Sequence, residues 1–550
     1  MIAPDAEACP EAPRVPRVPR VRLVHAAAFA FGIVLCGVIS LLAGQDNNWD
    51  LRNYHFYNPY ALLNDRLGFD FAPAQRQTYL NPFLDVPFYL GVSHLDPRVL
   101  GFLTGGVHGL SFGLVFALAM VVFRGHTAKV RLALSVSCAG AGLYGPVFLG
   151  EVGASQNDIL VGLFVLLPLL LLVQALVAHQ SLATREARRS LVVATFVFGA
   201  GMGLKPTVMP HALALAAAAC AVEGTWRARV TVLLVACGPF LAGFLLTNGY
   251  WMLRLWQEFG NPFFPFSNDV FRSPWADPRS YADRSMIPQS PRDAVTLPFA
   301  FVRESQYTSL QNGFRDTRYA VLYAVLSLYA LMRSWQRVIL RSAAAPSMPI
   351  ESRFLMIFFV VSFVAWETMF CIIRYASVLE LLAPLLVVVV AARVVGRGVA
   401  QSIIVATAVF ALQLATVNPI QQERLEWTGT FWDAQIPTLP NPEQTLVLIA
   451  NSRPLAYLIP VFPPEVRWLS LDNNLTRPSA KTKMQEEMRR MIAWHTGDVY
   501  LLSRAEPSPL LAHDVAVVSY YGLRLESDVR LPVVSRHSPP GMHLWKLERY

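Results

Sequence analysis

The chain has 550 residues, of which 54% are hydrophobic and only 15% are charged, and its mean hydropathy is +0.40. Ordinary soluble proteins carry about 25% charged residues, so this composition excludes that class and indicates a protein that crosses a membrane many times. The formal net charge of +9 does not indicate a nucleic-acid partner, because the basic residues occur in short clusters between apolar segments, as topology signals do. The six cysteines contain no CxxC pair, which gives no sign of a disulfide framework or a cysteine metal site.

The N-terminal segment, residues 1–21, is rich in proline and arginine. Such a segment cannot bury enough apolar surface to fold, so we expect a disordered tail. The apolar run that follows, from about residue 24 to 43, is long enough to cross a bilayer once. Its basic N-terminal flank predicts that the N-terminus is cytoplasmic, and residues 45–97 then form an outer loop.

The apolar segments from residue 22 to 417 predict a transmembrane domain of about eleven helices. Residues 80–95 are broken by two prolines and an aspartate, so we interpret them as re-entrant or interfacial. With that choice, the basic clusters between later spans all fall on the cytoplasmic side. A second outer loop, residues 250–318, is rich in Phe, Trp and Tyr, which favours a packed cap over the membrane face.

The C-terminal segment, residues 418–550, has a different character. Residues 445–450 and 498–502 are typical of buried strands, and a polar helical pattern over residues 481–495 lies between them. An odd number of spans would place this segment outside the membrane. The predicted fold is therefore an all-α polytopic membrane bundle followed by a small extracytoplasmic α/β domain.

The first outer loop begins with two carboxylates, Asp46 and Asp50, close to Trp49, Tyr54 and His55. Polar and aromatic groups of this kind at the mouth of a bilayer are typical of a surface that binds something. A plainer interpretation is that Asp50 caps a short interfacial helix. Because Pro59 would break such a helix, we expect two short helical pieces here.

The same loop resembles the first outer loop of the GT-C superfamily of membrane glycosyltransferases, which use polyprenyl-phosphate sugars. Asp50 and Tyr54 match the D-x3-Y/F pattern of that loop, and the run Ala61-Leu62-Leu63-Asn64 follows at the expected place. In that superfamily an aspartate after the first span is the catalytic base. The resemblance therefore implies that Asp50 is catalytic and that Asp46 is an accessory acid.

Further short motifs extend the resemblance to about residues 24–395, and their arrangement is similar to that of the family 87-like mannosyltransferases. They imply a substrate-binding set of Tyr54, His55, Glu151, Asp158, Lys205, Arg374 and Tyr375. The separated acids Asp46 and Asp50 depart from the adjacent pair of the superfamily. Other interpretations stay open: Lys205 can snorkel at a helix end, and Arg374 can be an interface anchor. Glu151 and Asp158 can simply solvate a loop, and His55 can belong to an aromatic belt.

The resemblance implies an inverting glycosyltransferase on the outer face of the cytoplasmic (inner) membrane. Its donor would be a polyprenyl-phosphate-linked sugar, and its acceptor a glycan, a lipid or a protein. The alternatives are a flippase or transporter of lipid-linked glycans and an enzyme like the O-antigen ligases or polymerases. No cofactor is assigned, a divalent metal is left open, and the expected partners are the lipid-linked donor, the acceptor and the bilayer, without nucleic acid.

Overall fold

The structure is a computed structural model that describes residues 18–303, 305, 307, 313–338, 348–395, 398–504, 508–537 and 541–550. Residues 1–17 of the predicted tail lie outside the described residues, and its last four residues, 18–21, belong to a helix that begins at Val18. The α-helices of the described residues are numbered α1 to α19 in chain order.

The helices of the first part of the chain are α1 Val18–Ala43, α2 Tyr57–Leu63, α3 Val86–His94, α4 Pro97–His108, α5 Leu110–Val122, α6 Ala128–Leu143, α7 Pro146–Glu151, α8 Asp158–His179, α9 Arg188–Leu204 and α10 Met209–Val222. The later helices are α11 Trp226–Phe259, α12 Asn268–Phe271, α13 Pro291–Ala300, α14 Arg318–Val338, α15 Ile350–Met369, α16 Ser377–Val395, α17 Val399–Thr416, α18 Lys483–Trp494 and α19 Pro509–Ser519. The strands are β1 Gln45–Asp46, β2 Arg424–Leu425, β3 Ala434–Gln435, β4 Thr445–Ile449, β5 Arg467–Ser470, β6 Asp498–Arg504, β7 Leu523–Ser535 and β8 Met542–Arg549.

Among the described residues, seven stretches are long and apolar enough to cross a membrane, so the chain is a multi-pass membrane protein. These stretches are Arg22–Ala43, Pro97–Val122, Asp158–His179, Trp226–Phe259, Ile350–Met369, Ile373–Val395 and Val399–Thr416. The predicted count of about eleven is not confirmed. The remaining predicted spans coincide with α6, α9, α10 and α14, which are too short or too polar to qualify.

The 80–95 segment agrees with the sequence-based prediction, whereas the C-terminal end of α11 differs from it. Helix α3 has only 9 residues, so the 80–95 segment does not cross the bilayer as a helix, as predicted. The loop expected from residue 250 starts later, because α11 continues to Phe259 and ends at Gly260 with a φ of +69°. Trp251 and Leu255 of this extension are buried in an apolar cluster that includes Tyr79 and residues of the C-terminal segment, and the Trp251 indole N–H donates to the Tyr79 carbonyl at 2.9 Å. This burial explains why the helix does not stop at the expected place.

Helix α16 lies at the centre of the bundle. Every residue from Ser377 to Ala391 is buried, as expected for a helix that is apolar on all sides. Elsewhere the helices approach closely at glycines: a Cβ on Gly32 of α1 would lie 2.3 Å from the carbonyl oxygen of Gly109. Small residues allow such close backbone contact between membrane helices. The position of α16 fixes the segment just before it, which carries Arg374.

The C-terminal segment contains a six-stranded sheet with the order β3-β7-β8-β6-β4-β5. Strand β4 pairs in parallel with β5 and β6, and the other pairs are antiparallel. All five residues of β4 are buried, as expected for a continuous apolar strand covered on both faces. The predicted bundle with a C-terminal α/β domain is therefore confirmed.

The segment predicted to be the first outer loop, residues 45–97, is joined to this sheet through hydrogen bonds. Asp70 is buried and accepts bonds from Arg66, from the Tyr57 hydroxyl at 2.9 Å and from the backbone N–H of Trp468 at 3.0 Å. Strand β1 of the loop also pairs with β2, which precedes the sheet. The loop that carries Asp50 is thus fixed between the helical bundle and the C-terminal sheet.

Replacing Asp70 should therefore weaken the whole protein. Asp70→Asn leaves the Arg66 guanidinium buried without its counter-charge, and breaking one partner of a buried pair costs about 3–5 kcal/mol. Thermal unfolding of the purified protein in detergent measures the loss. Asp65→Asn is the control, because Asp65 forms an exposed ion pair with Arg254 that is worth at most about 1 kcal/mol. Equal melting temperatures for the two variants would contradict this role of Asp70.

Candidate active site

Asp50 lies immediately before a turn of π-helix, Leu51–His55, which is followed by α2. Two short helical pieces are present, as the sequence predicts. The Asp50 side chain makes no capping hydrogen bond to this turn. Its Oδ2 instead accepts a hydrogen bond of 3.0 Å from Nη1 of Arg374. Capping therefore does not account for Asp50.

Arg374 joins three carboxylates from three segments of the chain. It lies in a short 3₁₀ turn, Ile373–Ala376, between α15 and α16. Besides the bond to Asp50, its Nη1 is 3.6 Å from Oδ2 of Asp158, and its Nε is 4.0 Å from Oε1 of Glu151. Its side chain is only 7% exposed, so Arg374 is a buried partner of these carboxylates and does not act as an interface anchor.

Lys205 adds a second cation. It follows the last residue of α9, and its Nζ is 2.6 Å from Oδ1 of Asp158 and donates to the Gln156 carbonyl at 2.5 Å. The Nζ also lies 6.0 Å from the centre of the Tyr375 ring. The side chain thus points toward the acids and away from an interface. We call Asp50, Glu151, Asp158, Lys205 and Arg374 the ionic cluster.

The three acids of the cluster have different electrostatic environments. Burial raises the pKa of Asp50, but attraction to Arg374 and Lys205 outweighs burial and leaves the pKa below its ordinary value. Burial and then repulsion from Asp158 raise the pKa of Glu151 well above its ordinary value, against the opposing pull of Arg374 and Lys205. Neither carboxyl oxygen of Glu151 has a hydrogen-bond partner among the described residues. Asp50 is therefore suited to be an anion, and Glu151 to be neutral.

His55 is held by two residues that the sequence analysis did not single out. Its Nδ1 is 2.7 Å from Oδ1 of Asp85, and the Asn157 amide donates to the same carboxyl oxygen. The Tyr54 ring lies against the imidazole, with 4.1 Å between the ring centres. Asp85 belongs to the proline-broken 80–95 segment, and the sequence alone indicates only that its charge disfavours a membrane-spanning helix there.

Asp46 is apart from the ionic cluster and has a structural environment. Both of its carboxyl oxygens accept bonds from the Asn48 amide, and Oδ2 also accepts from the backbone N–H of Ser155 at 2.8 Å. Asp46 also pairs with Arg424 in the ladder between β1 and β2. It thereby fixes the loop that carries Gln156 and Asn157 next to the first outer loop.

The cluster does not fit a divalent metal. Among the described residues, no group of three or more His, Cys, Asp or Glu side chains is arranged to hold a metal ion. The three carboxylates surround the guanidinium of Arg374, so that side chain supplies the positive charge that a metal would otherwise bring.

Comparisons with known proteins give weak similarities to solved structures. No protein-family model matches the chain, and no curated protein matches it. ArnT from Cupriavidus metallidurans, bound to undecaprenyl phosphate, is similar with 11% identity and a TM-score of 0.44, over 96% of this chain and 98% of that one. The oligosaccharyltransferase of Archaeoglobus fulgidus in its apo form is similar with 14% identity and a TM-score of 0.40, over 94% of this chain and 76% of that one. Similarities of this size do not define a family for the chain.

Replacing Glu151 should make the protein more stable at neutral and alkaline pH. The folded state keeps the Glu151 proton, whereas the unfolded chain releases it above its ordinary pKa of 4.5, so stability falls as pH rises beyond that value. Glu151→Gln removes this loss. We expect equal melting temperatures near pH 4 and a variant that melts at least about 2 °C higher at pH 8.

The matched control for this measurement is Asp158→Asn. Asp158 is paired with Lys205, so its loss should lower the melting temperature at pH 8. A lower melting temperature for Glu151→Gln at pH 8 would show that Glu151 is ionised and stabilising in the folded protein.

Proposed function

We propose that this protein is an inverting membrane glycosyltransferase, which transfers a sugar from a polyprenyl-phosphate donor to an acceptor hydroxyl. The observation that carries the proposal is the ionic cluster itself. One carboxylate suited to accept a proton, Asp50, and two cations, Lys205 and Arg374, lie together although they come from three separate segments. General-base catalysis and stabilisation of a phosphate leaving group need this combination of groups.

Asp50 is the proposed base. In a single displacement, the acceptor oxygen attacks the anomeric carbon while its proton moves to Asp50, and the bond from that carbon to the phosphate oxygen breaks with its electron pair on the phosphate. The anomeric configuration is inverted in this single step. Because the pKa of Asp50 lies below its ordinary value, the carboxylate is ionised at neutral pH, which is the form that a general base needs.

Arg374 and Lys205 are proposed to bind the donor phosphate. In the structure both cations are already paired with carboxylates, Arg374 with Asp50 and Lys205 with Asp158. When Asp50 takes up the acceptor proton it loses its charge, so Arg374 is released from that pair as the phosphate gains charge. Proton transfer and leaving-group stabilisation are therefore coupled through one ion pair.

The proposed topology follows from this chemistry and from the basic clusters. The N-terminus would be cytoplasmic, residues 22–417 would form the transmembrane domain, and the ionic cluster would face the outer side of the cytoplasmic membrane. Residues 418–550 would form the extracytoplasmic domain, which contacts the first outer loop through β1, β2 and Asp70. The sheet would then form one wall above the site at which the lipid-linked donor arrives.

A deletion strain tests the proposal in cells. We expect its glycolipids or glycans to lack one sugar residue and the precursor without that residue to accumulate. Purified protein in liposomes should then add labelled sugar from a polyprenyl-phosphate donor to the extracted precursor. If the protein moves the lipid-linked sugar across the bilayer without transferring it, the protein is a transporter and the proposal is wrong.

Asp50→Asn should abolish transfer. The amide cannot accept the hydroxyl proton, so we expect kcat to fall by about 10²- to 10⁴-fold while the protein is still inserted and folded. Sugar transfer in liposomes measures the effect. Asp269→Asn, an exposed residue of α12, is the control and should keep the wild-type rate. An unchanged rate for Asp50→Asn would remove Asp50 from the chemistry.

A further inference from the structure

We propose that His55 and Asp50 together select an acceptor that carries two neighbouring hydroxyls, which is a sugar diol. The inference rests on the proposed function, since it names the acceptor class of the same site. His55 would accept a hydrogen bond from the hydroxyl next to the one that attacks. Asp85 and Asn157 would be positioning residues that act through His55.

One ring nitrogen of His55 is available to a ligand. Its Nε2 is buried and has no hydrogen-bond partner among the described residues. A buried polar atom without a partner is costly, and at a candidate site it indicates a group of a ligand. The other ring nitrogen, Nδ1, lies 2.7 Å from Oδ1 of Asp85 and 3.4 Å from the Asn157 amide nitrogen.

The bond to Asp85 determines which kind of group Nε2 can bind. A carboxylate only accepts hydrogen bonds, so Nδ1 of His55 carries the ring hydrogen that is donated to Asp85. The Asn157 amide donates to the same oxygen and holds that carboxylate in place. In this tautomer Nε2 presents a lone pair, so its partner must be a donor such as a hydroxyl.

His55 lies close to Asp50 in the fold. The π-helical turn Leu51–His55 brings residues five positions apart onto nearly the same side, and Asp50 and His55 are separated by five positions. The contacts around both side chains agree with this placement: the amide nitrogen of Asn157 lies 3.4 Å from Nδ1 of His55, and the next residue, Asp158, lies 3.6 Å from the Arg374 nitrogen that donates to Asp50. Two acceptors, a carboxylate and an imidazole nitrogen, are therefore available side by side.

Two adjacent acceptors match a ligand with two adjacent donors. A serine or threonine side chain of a protein offers one hydroxyl, and a phosphate at neutral pH offers none, whereas vicinal hydroxyls of a sugar offer two. A site built to bind a hydroxyl discriminates strongly against an analogue that lacks it, because a buried acceptor is then left unpaired. The acceptor that fits is thus a glycan.

The acceptor class can be tested with the precursor lipids of the deletion strain. The full chain in liposomes is given labelled polyprenyl-phosphate glucose, mannose, galactose and arabinose as donors. The acceptor is the glycolipid extract, either untreated or treated first with periodate, which cleaves vicinal diols to aldehydes, and then with borohydride, which reduces the aldehydes to alcohols. We expect transfer to the untreated extract only. Equal transfer to both extracts would overturn the diol assignment but leave the glycosyltransferase proposal standing.

Variants test the role of His55 in the same assay. His55→Phe removes the acceptor atom, and we expect the acceptor KM to rise about 10- to 100-fold with the donor KM unchanged, since one buried group is left unpaired. His55→Gln retains an acceptor oxygen and should restore part of the affinity. Asp85→Asn should also raise the acceptor KM, because an amide can donate to Nδ1 and move the ring hydrogen to Nε2.

The control is His94→Gln, an exposed histidine of α3 whose ring bonds to the Leu90 carbonyl and to no other residue in the described part of the chain, and it should keep wild-type kinetics. If the His55 variants keep the wild-type acceptor KM, or if donor and acceptor KM rise together, the inference is wrong while transfer itself persists. If the wild-type protein transfers none of the four sugars to any extract, the proposed function fails, and the inference fails with it.

Discussion

The buried guanidinium of Arg374 is the constraint on which the site depends. A charge removed from water costs several kcal/mol unless opposite charges lie beside it, and here the carboxylates of Asp50 and Asp158 do so, with the neutral carboxyl group of Glu151 4.0 Å from Nε. These acids come from the first outer loop, the end of α7 and the start of α8. Pairing with one arginine therefore fixes three segments relative to α16, the most buried helix of the bundle.

Some buried polar atoms near Arg374 have no hydrogen-bond partner among the described residues. Glu151 has no hydrogen-bond partner for either oxygen among the described residues, and Nε2 of His55 has none as well. Unpaired buried groups cost stability, and groups with shifted pKa values gather where proteins bind and transform ligands. We interpret these atoms as places for substrate groups. Asp46 and Asp70, by contrast, have full sets of partners and fix the walls of the site.

The sequence predicted those parts of the structure that depend on local pattern. Apolar length predicts about eleven spans, of which seven are long and apolar enough in the described residues, continuous apolar runs predict β4 and β6, and the polar helical pattern predicts α18. Asp50, Lys205 and Arg374 could be singled out because the short motifs around them resemble those of the GT-C superfamily. Asp85 and Asn157 could not, because only the tertiary fold brings them to His55. The same is true of the extension of α11 to Phe259, because its residue Trp251 is buried and donates a hydrogen bond to Tyr79, which is far away in the chain.

The measurement that tests this account most directly is a structure of the full chain with a polyprenyl phosphate bound, obtained by electron cryo-microscopy. The account predicts that the phosphate contacts Nζ of Lys205 and the guanidinium of Arg374, with Asp50 beside it on the side open to the acceptor. A phosphate bound elsewhere, with the pairs of the ionic cluster unchanged, would contradict the account.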